Sequence, residues 1–194
     1  MRRKTWRDFL WVWPIVYFAL GMFNILFAWL GMIDFMLPLM FAVFGGNKYF
    51  CNHLCGRSQL FAYLPGKLRC SRGKLAPGWM RSSWFRYAFL VFFMAMFANV
   101  CWQSWLVFGG ARPVSETVKL LWVFRVPWGW ANVAGIVPDW AVQFAYGLYS
   151  LMLTSALIGL AVMALYRPRT WCAFCPMGAV TQVICRVRGG NERQ

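Results

Sequence analysis

The sequence predicts an all-α integral membrane protein that crosses the bilayer about four times, with both termini in the cytoplasm. Of its 194 residues, 61% are hydrophobic and only 13% are charged, whereas average soluble chains are ~45–50% apolar and ~25% charged. Its apolar runs also reach the ~18 residues that indicate spanning helices. Lys and Arg, finally, are unevenly distributed along the chain, which orients the helices. We expect a single membrane domain over residues 1–194.

Four apolar segments are the candidate membrane spans. The stretch from Gly31 to Asp34 is predicted to be the turn after the first, and Pro38 and Gly45-Gly46 interrupt the second. Because the second segment is short, either its helix continues to Phe50 or the motif that follows lies partly within the membrane, where irregular backbone must be buried in protein. The predicted spans cover residues 9–30, 35–50, 84–108 and 140–166.

The net charge of +15 is explained by the positive-inside rule, under which Lys and Arg gather in cytoplasmic loops, and not by nucleic-acid binding. With the N-terminus inside, four spans leave only Arg112, Lys119 and Arg125 of the 20 basic residues outside. The expected location is therefore the inner (cytoplasmic) membrane.

The first apolar stretch is too long for a secretory signal and has no small-x-small cleavage site, so we expect it to remain as an anchor. The loop between the last two spans is rich in Trp, as interfacial segments often are.

Two close pairs of cysteines are the candidate chemical groups. Cys51 and Cys55 lie in KYFCNHLCGRSQLFAYL with C-x3-C spacing, and Cys172 and Cys175 lie in RTWCAFCPMGAVTQVIC with C-x2-C spacing. Each pair has basic residues upstream, an aromatic residue before the first Cys, a Gly at or soon after the second, and then an amphipathic run. The chain therefore contains a weak internal repeat of two units, each a spanning helix that leads to a Cys loop.

The predicted orientation places both Cys loops, 51–55 and 172–175, at the cytoplasmic face. Four thiolates that converge there suit a [4Fe–4S] cluster, and Pro176 after the last Cys matches the ferredoxin pattern. Nearby Lys and Arg residues and helix N-termini would stabilise the negative charge of a cluster. Zinc and a redox-active dithiol are alternatives, whereas a structural disulfide is disfavoured because the cytoplasm keeps thiols reduced. The expected cofactor and metal ligands are Cys51, Cys55, Cys172 and Cys175.

Five further residues are weaker candidates. Cys70 and Cys185 each follow a pair on the same side, and as ligands they would bring a second cluster. Cys101 is expected to pack in mid-span as a small apolar residue. His53, the only histidine, is expected to contact a cluster sulfur, with direct ligation or a plain loop role as alternatives. Asp34 is expected in a solvated turn at the outer end of the second span, or in a proton or quinol path.

The two motifs resemble those of the membrane 4Fe–4S proteins found beside periplasmic nitrate and nitrous oxide reductases, and of the related cytochrome oxidase accessory protein. These polyferredoxin-like proteins, of the quinol dehydrogenase type, carry paired motifs close to C-x3-C-P, each followed by Gly and a hydrophobic helix. The stretch WCAFCPMG matches with Cys172, Cys175, Pro176 and Gly178, whereas in FCNHLCGRSQLF Gly56 stands where Pro is usual. The larger members carry an additional soluble ferredoxin domain with further runs of cysteines, and this sequence contains no such runs.

What the resemblance implies is quinol oxidation or membrane electron transfer, completed by a redox partner. We therefore expect an electron-transfer subunit that works between a quinone pool, or a partner redox subunit, and a [4Fe–4S] cluster. One alternative is a four-helix membrane thiol–disulfide oxidoreductase, whose working cysteines would have to face the oxidising side. The other is a non-enzymatic anchor or assembly subunit of a redox complex. Haem is disfavoured because there is no C-x-x-C-H motif and only one histidine. Whether the chain is itself an enzyme, and what its electron donor and acceptor are, stay open.

Overall fold

The computed structural model describes residues 9–45, 50–68, 71, 73–121, 123–132, 135, 137–168 and 170–191. This part of the chain is mostly helical, as the composition predicts. Three helices are long and apolar enough to cross a membrane, namely Ile25–Gly45, Ser83–Phe108 and Asp139–Leu165. The apolar helix Val12–Phe23 is shorter, at about 18 Å for 12 residues. These helices are consistent with a multi-pass membrane protein.

The first two helices are divided differently from the prediction. Helix α1 covers Val12–Phe23 and ends before Asn24. A 3-10 turn, Ile25–Trp29, then leads directly into α2, Leu30–Gly45. Asn24 has an extended backbone, and its side-chain oxygen accepts a hydrogen bond from the Leu26 N–H at 2.9 Å. This cap satisfies a donor at the new helix start and explains why the break falls here.

The turn predicted at residues 31–34 is therefore wrong, because this stretch lies inside α2. The chain reverses earlier: the Tyr17 hydroxyl donates to the Ala28 carbonyl oxygen at 3.3 Å. A Cβ at Gly31 would lie 2.6 Å from that hydroxyl, so the glycine allows close helix packing and does not mark a turn. Helix α2 ends at Gly45, within the glycine pair that the sequence suggested as a break.

The remaining elements follow in chain order. They are a π-helical turn (Phe50–Leu54), α3 (Gly56–Leu68), a 3-10 turn (Gly78–Arg81), α4 (Ser83–Phe108), β1 (Thr117–Leu120), β2 (Phe124–Pro127), a 3-10 turn (Gly129–Ala131), α5 (Asp139–Leu165), α6 (Trp171–Phe174) and α7 (Pro176–Asn191). Helices α4 and α5 begin and end within one residue of the third and fourth predicted segments. Both are long uninterrupted apolar runs, which are the clearest signal in a single sequence.

A small antiparallel hairpin interrupts the all-helical pattern between α4 and α5. Strands β1 and β2 pair with Val118 opposite Val126 and Lys119 opposite Arg125. Val118 is fully buried, so one face of the hairpin packs inward. The sequence indicated only an interfacial loop here, because strands of four residues are too short for their alternation to be distinctive.

The chain divides into two compact units. Unit 1 contains the described residues of 1–14, 34–92 and 158–194, and unit 2 contains those of 15–33 and 93–157. The core of unit 1 consists of Phe61, Met80, Val162, Met163, Trp171 and Phe174. The core of unit 2 consists of Ile25, Ala28, Val118, Ala131, Val142, Ala145, Tyr146 and Tyr149. Both cysteine pairs belong to unit 1.

Candidate metal centre

The first cysteine pair lies on a π-helical turn directly before α3, in residues 50–58, which we call loop one. Cys51 is within the turn, and the Cys55 N–H donates to the Phe50 carbonyl oxygen at 2.9 Å. This i to i+5 bond adds one residue to an ordinary helical turn, which accommodates the C-x3-C spacing. Phe50 stacks on Phe41 of α2 with ring centroids 5.8 Å apart. The turn is thereby held against the helix that precedes it.

Cys55 caps the N-terminus of α3. Its carbonyl oxygen accepts from the Gln59 N–H at 3.1 Å, and the backbone N–H groups of Ser58 and Arg57 donate to its thiol. Burial raises the pKa of the Cys55 thiol, while these hydrogen bonds and the positive charge of Arg57 oppose that shift. Backbone donors and the positive end of a helix dipole are what a thiolate needs when it binds iron.

The second pair lies in residues 171–178, which we call loop two. Its first half is α6, a single turn that carries Cys172. The Cys175 N–H donates to the Trp171 carbonyl oxygen at 2.9 Å, so an ordinary α turn accounts for the shorter C-x2-C spacing. Pro176 is the first residue of α7, a position that has no use for a backbone N–H and favours the fixed φ of proline.

Cys175 caps α7 as Cys55 caps α3. Its carbonyl oxygen accepts from the Ala179 N–H at 2.9 Å, and the N–H groups of Gly178 and Met177 donate to its thiol. Burial again raises the pKa of the thiol, and these bonds together with the charge of Arg57 oppose the shift. The weak repeat seen in the sequence therefore corresponds to a repeated local structure: a helical turn with one Cys, a capping Cys, and a helix.

An aromatic cluster in unit 1 supports loop two. Phe89 of α4 meets Trp171 and Phe174 edge to face, with centroid distances of 5.6 and 5.5 Å. Phe61 of α3 packs on Gly159 of α5, where an added Cβ would lie 2.5 Å from the Phe61 ring. The cysteines are therefore presented by tightly packed helices, which position ligands more accurately than free loops do.

The two loops are joined by reciprocal contacts. Cys51 Sγ of loop one lies 3.9 Å from Thr181 Oγ1 of α7. Cys172 Sγ of loop two donates to Ser58 Oγ, at the start of α3, at 3.6 Å. The first cysteine of each loop thus contacts the helix that begins after the other loop. This exchange brings the two pairs, ~120 residues apart in sequence, to one region of unit 1.

Thiols of the two loops lie near one another. Cys175 is close enough to Cys55 and to Cys51 for each pair to interact electrostatically, and all six described cysteines are free thiols. Within the described residues, no three His, Cys, Asp or Glu side chains stand close enough to hold a single metal ion. A cubane cluster keeps its ligands farther apart than one ion does, because each thiolate binds a different iron. The donor set, four cysteines with backbone N–H groups aimed at two of them, therefore fits a [4Fe–4S] cluster.

Two arginines supply the positive charge that was expected around the site. Arg57 acts electrostatically on both Cys55 and Cys175. Arg86 of α4 donates from Nε to the Ala173 carbonyl oxygen at 3.0 Å and from Nη1 to Gln182 Oε1 at 2.7 Å, and so ties loop two to α7. Arg57 therefore affects the charge of the site, whereas Arg86 holds its backbone in place.

The weaker candidates have different outcomes. Cys185 lies nine residues after the start of α7, about 14 Å along the helix axis, and Cys70 lies outside the described residues. Cys101 lies within the apolar helix α4, as expected, but the expectation that it is packed is wrong, because its side chain is exposed. The His53 side chain is exposed, and its carbonyl oxygen accepts from Gln59 Nε2 at 3.5 Å. A contact of His53 with a cluster sulfur stays a prediction.

Asp34 does not lie in a turn. It is inside α2, and Trp13 Nε1 donates to both of its carboxylate oxygens, at 3.0 and 3.1 Å. Arg57 lies within electrostatic range of this carboxylate. Asp34 is therefore a residue of the cysteine-bearing unit, and a role in a proton or quinol path stays a prediction.

Sequence reasoning did not single out Arg57, Ser58 and Thr181. Arg57 was counted only as part of a basic stretch, although its place two residues after Cys55 puts it in the first turn of the capped helix. Ser58 and Thr181 contact cysteines 114 and 130 residues away along the chain, and no spacing within one motif indicates such a contact.

The chain matches a family whose description is "4Fe-4S binding domain". The match covers residues 27–57 and 150–193, which is less than half of the chain. Each part contains a helix followed by one of the two cysteine loops. No curated protein and no solved structure matches the chain. The match supports an iron–sulfur protein whose cofactor is a [4Fe–4S] cluster.

Proposed function

We propose that this chain is a membrane-bound electron-transfer subunit in which Cys51, Cys55, Cys172 and Cys175 bind one [4Fe–4S] cluster. The observation that carries the proposal is the reciprocal arrangement of the two loops, which places two helix-capping thiols and two turn thiols in one region of unit 1. A cluster bound there supplies one-electron transfer. The whole chain provides its four ligands, so neither half of the repeat is sufficient alone.

The residues around the thiols have separate roles in this proposal. The N–H groups at the starts of α3 and α7 stabilise the two capping thiolates. Arg57 offsets part of the negative charge that accumulates when an electron arrives, which favours reduction. The aromatic residues Phe89, Trp171 and Phe174 pack behind loop two, and their bulk keeps water away from this side of the site.

We further propose that both loops lie at the cytoplasmic face of the inner membrane. The distribution of charge along the chain supports this topology: basic residues flank both loops, whereas only Arg112, Lys119 and Arg125 fall between α4 and α5. The positive-inside rule assigns the more basic side to the cytoplasm. The short α1 would be the first of four crossings, with both termini inside.

The electron donor in this proposal is a quinol in the bilayer or a partner redox subunit, as in the membrane quinol dehydrogenases that the motifs resemble. Oxidation of a quinol releases two electrons and two protons. The cluster would accept the electrons one at a time and pass each to a partner subunit, and a proton acceptor is needed near the site. Asp34 in α2 is a carboxylate within an apolar helix of unit 1, which is the usual setting of a proton-relay residue. The chain would act as one subunit of a larger complex.

Anaerobic purification tests the cluster and its ligands. We expect about four iron and four sulfide per chain, absorbance near ~400 nm, and an EPR signal after reduction. About eight of each would mean two clusters and would bring in Cys70 and Cys185. Protein that contains zinc, or no metal, would contradict the proposal. If the Cys172→Ala chain kept electron flux but lost its place in a redox complex, the cluster would be structural and the chain an assembly subunit.

A further inference from the structure

Unit 2 contains a small polar pocket that the proposed electron transfer does not use. Its volume is about 40 Å³, enough for about three ordered waters or one small oxyanion. Helix α4, strand β1 and helix α5 all contribute to it. The lining residues that matter here are Met96, Val100, Gln103, Thr117, Lys119 and Gln143.

Three cations lie at or beside this pocket, and one of them lines it. Lys119 of β1 lines it and stands directly opposite Arg125 of β2 in the hairpin. Like charges at directly opposed positions destabilise a strand pair unless something compensates them. Arg112 is also within electrostatic range of Lys119. Burial lowers the pKa of Lys119, and both arginines lower it further. These are also the three basic residues that the charge pattern leaves outside the cytoplasm.

The uncharged groups at the pocket favour the same kind of ligand. Gln103 Oε1 accepts from Arg112 Nη1 at 3.4 Å, and Gln143 Oε1 accepts from the Ser115 N–H at 2.8 Å. Because the amide oxygens of Gln103 and Gln143 already accept hydrogen bonds, the NH₂ groups of these two side chains are the groups that could contact a ligand. An NH₂ group and an ammonium can only donate hydrogen bonds. Lys119 and these two amides therefore offer donors to the pocket, which suits an anion.

The acidic residue that is nearest to Lys119 in sequence does not neutralise these three cations. Glu116 accepts a close hydrogen bond from the Asn132 side-chain amide. It lies one residue before β1 and three before Lys119, so alternation along an extended chain directs the two side chains to opposite faces. The groups that act electrostatically on Lys119 are Arg125 and Arg112, both cationic.

We infer that this pocket binds a phosphate group through Lys119, Arg112 and the amides of Gln103 and Gln143. A phosphate has several acceptor oxygens and carries the charge that would relieve the repulsion between Lys119 and Arg125. Its source is either free phosphate or the headgroup of an anionic phospholipid at the non-cytoplasmic surface of the inner membrane. The inference does not depend on the proposed electron transfer.

The test uses the whole, cluster-loaded chain after its lipids have been exchanged for detergent. Inorganic phosphate is titrated by calorimetry, and nanodiscs of phosphatidylglycerol or phosphatidylcholine are compared by native mass spectrometry of the lipid that stays bound. We expect the native chain to bind phosphate or to retain phosphatidylglycerol selectively. Lys119→Gln should bind with an affinity about tenfold lower, because it loses one charge-assisted hydrogen bond. Lys74→Gln, an exposed lysine of unit 1, is the matched control and should bind normally.

The outcomes separate the sources and can overturn the inference. Binding of free phosphate identifies a soluble ligand, and retention of phosphatidylglycerol alone identifies a lipid. Absence of both, or equal binding by the native chain and Lys119→Gln, contradicts the site. Arg112→Gln serves as a second variant if Lys119→Gln fails to fold, because Arg112 is exposed. Iron content, measured in the same samples, shows separately whether the cluster is present.

Discussion

Loop one and loop two each present two cysteines, but with different backbones. Loop one has C-x3-C spacing on a π-helical turn with Gly56 at the start of its helix, and loop two has C-x2-C spacing on an α turn with Pro176 at that position. In both, the second cysteine caps a helix and receives two backbone hydrogen bonds at its thiol. What the loops share is therefore the capped helix and not the number of residues between the cysteines.

The difference between Gly56 and Pro176 has a local steric cause. A Cβ at Gly56 would lie 2.9 Å from the Leu10 carbonyl oxygen and 3.0 Å from Pro14 Cδ. The residues before and at the start of α1 thus occupy the space that a proline ring would need in loop one. The departure from the C-P pattern indicates a close approach of two backbones, and both cysteines of loop one keep their places.

The largest expected effect comes from removing one thiol from either loop. Cys55→Ser and Cys175→Ser should each lose most of the bound iron, because a [4Fe–4S] cluster needs four ligands and each loop would provide two in the proposed site. Iron and sulfide per chain are measured after anaerobic purification. If the loops are equivalent, the two losses should be equal within error.

Cys101→Ser is the matched control for these variants, since Cys101 is an exposed cysteine of unit 2. It should keep its full iron content. Retention of iron by Cys55→Ser together with loss in Cys175→Ser would show that loop one is not part of the site, and the comparison of the loops would fail.

The second prediction concerns the glycine in each loop. Gly56→Ala should lower the stability of the protein by about 1–3 kcal/mol, the usual cost of forcing an extra methyl group into packed structure. A Cβ at Gly178 would meet only ordinary contacts, at 3.5 Å from the Cys172 carbonyl oxygen and 3.8 Å from Cys175 Cβ. Gly178→Ala should therefore be neutral or slightly stabilising, because alanine favours a helix.

The melting temperature in detergent distinguishes these two variants, and Gly78→Ala, where an added Cβ would meet nothing within 4 Å, controls for a general sensitivity to glycine replacement. Equal stability of Gly56→Ala and the native chain would mean that the start of α1 does not press on loop one. The structural reason for the missing proline would then be wrong.

The contrast between the loops also shows what a sequence can predict here. Long apolar runs predicted α4 and α5 to within a residue, and the cysteine spacings predicted two related sites. The end of helix α1 was predicted wrongly. A single capping side chain, Asn24, decides where the helix breaks, whereas Gly31 suggested a turn several residues later. The contacts of Cys51 with Thr181 and of Cys172 with Ser58 were out of reach, since they depend on how distant helices pack.

The third prediction uses a charge that only loop one provides. Arg57 follows Cys55 by two residues and acts on thiols of both loops, whereas Met177 holds the corresponding place in loop two. Arg57→Gln should lower the reduction potential, because a nearby positive charge stabilises the more negative, reduced state. A loss of about 1 kcal/mol of interaction corresponds to about 40 mV for one electron.

A redox titration followed by EPR measures this shift. Arg81→Gln, an exposed arginine of the same unit, is the control and should leave the potential unchanged. A potential that rises in Arg57→Gln, or that falls equally in both variants, would show that Arg57 does not act on the site through its charge.

The smallest expected effects come from the two hydroxyl groups that join the loops. Ser58→Ala and Thr181→Val each remove one weak contact to a cysteine sulfur, at 3.6 and 3.9 Å, worth about 0.5 kcal/mol. Thr181 also donates to the Gly178 carbonyl oxygen at 3.2 Å, so Thr181→Val should lower the melting temperature more than Ser58→Ala does. A hydroxyl that donates to a thiolate favours the reduced cluster. Ser58 accepts from the Cys172 thiol and can turn its hydrogen toward that sulfur once Cys172 is a thiolate, so Ser58→Ala should shift the potential slightly downward. The single hydroxyl hydrogen of Thr181 is engaged by Gly178, so Thr181→Val should leave the potential nearly unchanged. A downward shift of equal size in both variants would mean that Thr181 turns its hydrogen toward Cys51 in the loaded protein and that the two hydroxyl groups act alike.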